Sequence, residues 1–193
     1  MTRSRLAGAA GSTLAAALAV SAFATLGASA SQAAEPAFDA FAQTCMAGDA
    51  APAGVVAAAD QAGWTKGGAA GAPISGFTVT ASDTRTKHDG DMVFSLYTWT
   101  GAKGPITASE CQLQASSANL AALTSAVGAK IGVPSAQTSA AKTTFQFAGP
   151  LSAPKALAAG QSMDEVAAGD GLYILTVSAA GKGAFVEILK IKK

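Results

Sequence analysis

The sequence is poor in the side chains that most often carry catalysis. Among 193 residues it has a single histidine, His88, and two cysteines, Cys45 and Cys111. A protein zinc site usually takes three or four His, Cys or carboxylate ligands, so this composition argues against one. The Gly-x-Ser-x-Gly motif that presents the nucleophile of many serine hydrolases does not occur. We therefore expect no cofactor and no bound metal.

The sequence also lacks an excess of charge of either sign. It has 13 Lys and Arg against 12 Asp and Glu, a formal net charge of +1. Loss of the first 34 residues would remove Arg3 and Arg5 and leave a net charge of −1. Nucleic-acid-binding domains usually carry a basic excess, so we expect no nucleic-acid partner.

Only one long hydrophobic run is present, and it lies at the amino terminus. Arg3 and Arg5 precede an uncharged apolar run from Leu6 to Leu26, which ends in small residues. This pattern predicts a secretory signal peptide over residues 1–34, with cleavage after Ala30, Ala33 or Ala34. No later run approaches the ~20 apolar residues of a membrane span. We expect no transmembrane anchor after cleavage, and a periplasmic or secreted domain over residues 35–193.

Both cysteines lie in the part of the chain that would be exported. An oxidising compartment favours their pairing, so we predict a disulfide between Cys45 and Cys111. The alternative is a redox-active pair, which usually has the spacing Cys-x-x-Cys. That spacing is absent, and the structural disulfide is the favoured interpretation.

The remaining pattern predicts an α+β fold. Leu120, Leu123, Val127 and Ile131 recur at helical spacing and predict an amphipathic helix. Alternating apolar residues on both sides of it predict strands, including a central pair over residues 92–115. The predicted order is α-α-β-β-β-α-β-β-β. We expect an antiparallel sheet of about five to six strands, with the helices packed on one face.

Candidate catalytic residues are few. His88, Asp89 and Asp91 lie together in a predicted hairpin turn around Gly90. They could serve as a general base with an acidic partner, but a solvated turn is the simpler interpretation. Glu110 and Glu165 are mid-chain glutamates, and neither has a neighbour in sequence that would raise its pKa.

The aromatic residues offer a second candidate site. Trp64, Tyr97 and Trp99 would form a binding surface if one face of the sheet stayed open. The alternative is that they belong to the hydrophobic core, where aromatic residues on sheets are more often found. The pattern does not distinguish the two, because both faces of the predicted central strand carry large apolar groups.

Four short features occur in order along the expected mature chain: Phe38-x-x-Phe41-x-x-x-Cys45, Gly63-Trp64, Glu110-Cys111, and the helix with Leu120 and Leu123. In this combination they resemble uncharacterised small exported proteins of alphaproteobacteria. The resemblance implies an envelope location and a paired Cys45 and Cys111. It brings no catalytic motif to this sequence.

These observations lead to one expected function and two alternatives. We expect a non-enzymatic, disulfide-linked envelope domain that binds a protein or another envelope component. The alternatives are a small periplasmic hydrolase that uses His88 with an acidic partner, and a carrier of a small ligand.

Overall fold

The architecture is that of an α+β protein with one antiparallel sheet. It was obtained as a computed structural model, which describes residues 35–68 and 71–193. The predicted signal peptide and its three cleavage positions lie outside the described residues. The sequence-based prediction of an α+β fold with an antiparallel sheet is confirmed.

Four α-helices are described, and local sequence explains where they begin. They are α1 (Pro36–Phe41), α2 (Pro52–Gln61), α3 (Leu120–Ile131) and α4 (Met163–Ala168). A proline opens both α1 and α2, where its missing N–H group costs no helical hydrogen bond. Asn119 caps α3 by accepting a hydrogen bond from the Ala122 N–H at 3.1 Å. α1 continues directly into one turn of π-helix, Ala42–Met46.

Within the described residues the sheet has nine strands. They are β1 (Thr65–Lys66), β2 (Thr78–Asp89), β3 (Met92–Lys103), β4 (Ile106–Ala115), β5 (Ser135–Thr138), β6 (Lys142–Ala148), β7 (Lys155–Ala156), β8 (Leu172–Ala180) and β9 (Gly183–Lys192). The spatial order is β1-β2-β3-β4-β9-β8-β6-β5, and β7 pairs with β6. Two groups of long strands therefore meet where β4 pairs with β9.

The predicted count of five to six strands is wrong, and so is the predicted element order. The additional strands β1, β5 and β7 have two to four residues each, too few to show an alternating pattern. α4 adds a further helix before β8. It also lies on the opposite face of the sheet from the other helices, so the helices do not share one face as predicted.

β2 extends further than the sequence suggested. His88 and Asp89 are predicted to lie in the hairpin turn around Gly90, but the charged segment before Gly90 stays extended as far as Asp89. Arg85 donates a hydrogen bond from Nε to Asp60 Oδ1 at 2.8 Å, and Lys87 Nζ donates to the Ala62 carbonyl at 3.1 Å. Arg85 and Lys87 therefore hydrogen-bond to a side chain and a carbonyl group at the C-terminal end of α2. The charged segment is a strand that packs against a helix.

The main core lies on one face of the sheet, which we call the helix face. There α1, α2 and α3 pack against alternate residues of the long strands. The largest of the fully buried side chains include Phe41, Leu113, Phe147 and Ile188. The Cys45–Cys111 disulfide crosses this core with a Cα–Cα distance of 5.4 Å, which confirms the predicted pairing.

Candidate functional site

The opposite face of the sheet carries two glutamates, and we call it the carboxyl face. Successive residues of a strand point to opposite faces, so Glu110 and Gln112 lie on the carboxyl face while Cys111 and Leu113 lie on the helix face. The strand register defines two rows across this face. The first row is Trp99, Glu110 and Leu189, and the second is Tyr97, Gln112 and Glu187.

In the first row, Glu110 is held by Trp99. The Trp99 side chain is fully buried, and its Nε1 donates a hydrogen bond to Glu110 Oε2 at 3.0 Å. The ring of Phe77 covers Trp99, with 5.8 Å between ring centroids. Glu110 is only 4% exposed, so its carboxyl group has lost most of its contact with water.

This environment changes the proton affinity of the carboxyl groups. Burial, with a contribution from the charge of Glu187, raises the pKa of Glu110 to about 7 although the Trp99 hydrogen bond opposes the shift. Burial also raises the pKa of Glu187, against the opposing effects of Lys142 and Gln112. Both glutamates therefore hold their protons at a higher pH than exposed carboxyl groups do.

The second row brings the Tyr97 hydroxyl to the same region. Tyr97 is 7% exposed, and Gly71 lies so close to its ring that a Cβ there would be 2.3 Å from Cδ1. Burial and the charge of Glu110 raise the pKa of Tyr97. No described residue forms a hydrogen bond with the Tyr97 hydroxyl.

The described residues outside the sheet cover the carboxyl face only in part. Gly71 and Phe77 cover the β3 side, and α4 places Val166 and Ala167 over Leu172. Beyond the first row, towards the β2–β3 and β8–β9 hairpins, lies a strip of mostly polar side chains that we call the open half of the carboxyl face. It consists of Ser95, Tyr97, Gln112, Gln114, Thr176, Ser178, Phe185 and Glu187. All but Tyr97 are half-buried and reach water.

The structure does not bring the three candidate aromatic residues together. Trp64 lies on the helix face, where its ring is 6.1 Å from that of Phe94. Tyr97 and Trp99 lie on the carboxyl face. All three are buried, with exposed fractions of 5%, 7% and 0% respectively, so their rings do not form a common exposed platform.

His88, Asp89 and Asp91 lie at the tip of the β2–β3 hairpin. His88 and Asp89 are the last residues of β2 and not part of the turn, and all three side chains are exposed. Within residues 35–68 and 71–193, no group of three or more His, Cys, Asp and Glu residues is placed to hold a metal ion. The position of these residues corresponds to the interpretation as a solvated hairpin end.

Local sequence does not indicate the environment of Glu110, and it does not mark Glu187 as a candidate residue. Their pKa shifts come from strands that are distant in the chain, since β4 pairs with β9 about 80 residues later. The alternation in β4 of Glu110 with Cys111 and Leu113 was the available signal. Glu165, the other glutamate considered, caps α4 in a reciprocal pair of hydrogen bonds with Ser162.

A second polar cluster lies at the edge of the helix face. Tyr173 donates a hydrogen bond to Asp49 Oδ1 at 2.9 Å, and Lys190 forms an ion pair with the other oxygen of Asp49. Lys190 also lies over the Tyr173 ring, 5.3 Å from its centroid. Because these groups satisfy one another, the cluster fastens the loop before α2 to β8 and β9.

No family model, curated protein or solved structure matches the chain. The function must therefore be inferred from the geometry and chemistry of this molecule. None of the helices in the described part of the chain is long and apolar enough to cross a membrane.

Proposed function

We propose that this protein is an exported, non-enzymatic binding domain that holds a small polar ligand on the open half of the carboxyl face. The observation that carries the proposal is the pair Glu110 and Glu187. Neither takes part in an ion pair among the described residues, although Glu110 is almost completely buried. Burial of a carboxyl group without a charged partner costs stability, and such groups are concentrated at functional sites.

The pKa shifts favour binding over acid–base catalysis. A pair of catalytic carboxyl groups usually has environments that push the two pKa values apart, so that one group is an acid and the other a base. Here burial raises the pKa of both Glu110 and Glu187. His88 pairs with Val93, four residues along β3 from Tyr97. This spacing corresponds to about 13 Å of extended chain, too far for His88 to act with these carboxyl groups.

The surface favours a small ligand over a large apolar protein partner. The large hydrophobic side chains that are exposed in the described residues are Ile74, Val79 and Met163, at 39%, 37% and 47%. The aromatic residues that most often anchor protein interfaces are buried here. A ligand that makes hydrogen bonds with Gln112, Glu187 and the Tyr97 hydroxyl fits this polar strip better.

The disulfide supports export. Disulfides form and persist in secreted and periplasmic proteins and are rare in the reducing cytosol. Cys45 and Cys111 are paired and fully buried. Together with the predicted signal peptide, this pairing supports a periplasmic or secreted location.

Thermal unfolding in the presence of a library of small polar compounds tests the proposal. A ligand at 100 times its dissociation constant adds about 2.7 kcal/mol to the unfolding free energy, which raises Tm by roughly 5–10 °C in a domain of this size. We expect at least one compound to raise Tm of the wild-type protein, with a much smaller rise in Gln112→Ala. Gln137→Ala is the matched control, because Gln137 is exposed on the short edge strand β5.

Two results would contradict the proposal. Equal protection of wild type and Gln112→Ala would place the ligand elsewhere on the molecule. A flat response to the whole library would remove the small-ligand function. The partner would then be sought among proteins and other envelope components by cross-linking, with the same two variants as site and control.

A further inference from the structure

The arrangement of Glu110 and Glu187 indicates the charge of the ligand. Glu110 pairs with Leu189, and Gln112 pairs with Glu187, so the two glutamates are diagonal neighbours on adjacent strands. Diagonal neighbours on one face have Cβ atoms about 7 Å apart. Two carboxyl groups at this separation leave room for one compact group that contacts both.

Two neutral groups complete the arrangement. Gln112 lies between Tyr97 and Glu187 in its row, and Tyr97 is a diagonal neighbour of Glu110 on the other side. Tyr97 is 7% exposed, and its hydroxyl has no hydrogen-bond partner among the described residues. Two carboxyl groups, a hydroxyl oxygen and an amide oxygen are all acceptors, and they suit a ligand with several N–H donors.

Few other charges act on this region. Besides Glu110, the titratable groups placed on the carboxyl face by strand alternation, or on the helix that covers it, are His88 on β2, Tyr97 and Lys103 on β3, Lys142 on β6, Lys155 on β7, Glu187 on β9, and Asp164 and Glu165 on α4. Lys155 forms an ion pair with Asp170. Lys142 is exposed and influences Glu187, while His88 and Lys103 lie towards the ends of their strands. The region around Glu110 and Glu187 therefore has one nearby cation, Lys142, which water screens.

We propose that the carboxyl face binds a compact organic cation, an ammonium or guanidinium group, between Glu187 of its open half and Glu110 in the adjacent row. This inference rests on the proposed function, because it names the class of ligand for the same site. A guanidinium group carries five N–H donors and pairs with carboxylates in a bidentate manner, while an ammonium group carries three donors. Either group would supply the positive charge that the described ion pairs do not provide here.

Binding of a cation should release protons. Burial holds the pKa of Glu110 at about 7, so at pH 7 the free protein carries about half a proton on this carboxyl group. The cation binds the ionised carboxylate, and the proton passes to the buffer. Because only protein molecules with an ionised Glu110 bind the cation, the affinity for the cation should rise about tenfold between pH 6 and pH 8.

Two isosteric probes test the proposal by isothermal titration calorimetry on the full exported domain. N-acetyl-arginine amide carries a guanidinium group, and N-acetyl-citrulline amide replaces it with a neutral urea of the same shape. N-acetyl-lysine amide distinguishes an ammonium from a guanidinium ligand. Titrations in phosphate and in Tris, which differ in ionisation enthalpy, count the protons released.

We expect a cationic probe to bind with release of about half a proton or more at pH 7, and the citrulline probe to bind at least tenfold more weakly. In Glu110→Gln the affinity for the cationic probe should no longer change between pH 6 and pH 8. Glu187→Gln should lower that affinity. Glu165→Gln is the control, because Glu165 is exposed and caps α4. It should bind as wild type does.

The contrary results separate this inference from the proposed function. Equal binding of the arginine and citrulline probes, or binding without proton release, would overturn the cationic ligand. If a neutral library compound still protected the wild type but not Gln112→Ala, the binding function would stand. If Glu110→Gln and Glu187→Gln bound the cationic probe with the same affinity as wild type, the binding would be a nonspecific surface contact. That result would overturn the inference. No binding of either cationic probe, together with a flat library response, would overturn both proposals.

Discussion

The two faces of the sheet are built by the same strands and have opposite properties. In β4, Cys111 and Leu113 point into the helix face and are fully buried, while Glu110 and Gln112 point into the carboxyl face. The helix face is apolar and closed by three helices. The carboxyl face is polar at its centre, and residues 35–68 and 71–193 cover it only partly. One strand therefore supplies both the core and the candidate site.

This difference indicates where stability and binding are located. The helix face contains the larger hydrophobic cluster and the disulfide. The carboxyl face contains a smaller cluster around Trp99, beside a buried carboxyl group whose ionisation opposes folding. We infer that the helix face stabilises the fold, and that this stability allows the carboxyl face to keep groups that are costly to bury.

Removal of the disulfide should have the largest effect. The Cys45→Ala/Cys111→Ala variant loses a link across 66 positions. The loop-entropy model predicts a loss of about 4 kcal/mol of unfolding free energy. Urea denaturation followed by circular dichroism measures it.

Wild type unfolded in the presence of a reductant is the control for this variant, because the reductant breaks the same disulfide without replacing the cysteine side chains. The double alanine variant and reduced wild type should lose similar amounts of unfolding free energy. A loss below about 1 kcal/mol in both would show that the disulfide does not dominate the stability of the helix face.

The next largest loss of unfolding free energy should come from one of two neighbouring residues of β4 and not from the other. Leu113→Ala removes a fully buried side chain from the helix face and should cost about 3 kcal/mol. Gln112→Ala changes a half-buried residue of the carboxyl face and should cost less than about 0.5 kcal/mol. The same urea denaturation compares both with wild type. Equal losses would contradict the division of the sheet into a stabilising face and a binding face.

Much of the fold follows from patterns of local sequence. The stripe of Leu120, Leu123, Val127 and Ile131 correctly predicted α3, because a surface helix shows its buried face directly in the sequence. The disulfide followed from composition and context. The short strands β1, β5 and β7 could not be predicted, since two to four residues show no periodicity and owe their pairing to neighbouring strands.

The candidate site was less predictable than the fold, for a physical reason. The properties of Glu110 depend on Trp99 across one strand pair and on Glu187 across another. Such contacts arise from register and sheet order, and neither is written in the local sequence. The residues singled out at the hairpin tip, His88, Asp89 and Asp91, stand out in the sequence but lie exposed in the structure.

The smallest of the predicted effects depends on pH and arises on the carboxyl face. Burial raises the pKa of Glu110 from 4.5 to about 7, so between these values the native state binds more protons than the unfolded state. Stability from this group is therefore fully present at acidic pH and is lost as the pH rises through about 7. Between pH 5 and pH 8 we expect a loss of about 2 kcal/mol in the wild type.

Glu110→Gln should remove this loss, because a glutamine keeps an oxygen that accepts the Trp99 hydrogen bond but does not ionise. Urea denaturation at pH 5, 6.5 and 8 compares the variant with wild type. We expect the variant to match wild type at pH 5 and to exceed its stability by about 2 kcal/mol at pH 8. Asp91→Asn, at the exposed hairpin tip, should follow the wild-type pH dependence. If Glu110→Gln followed it as well, the carboxyl group of Glu110 would not be the ionising group that distinguishes the two faces.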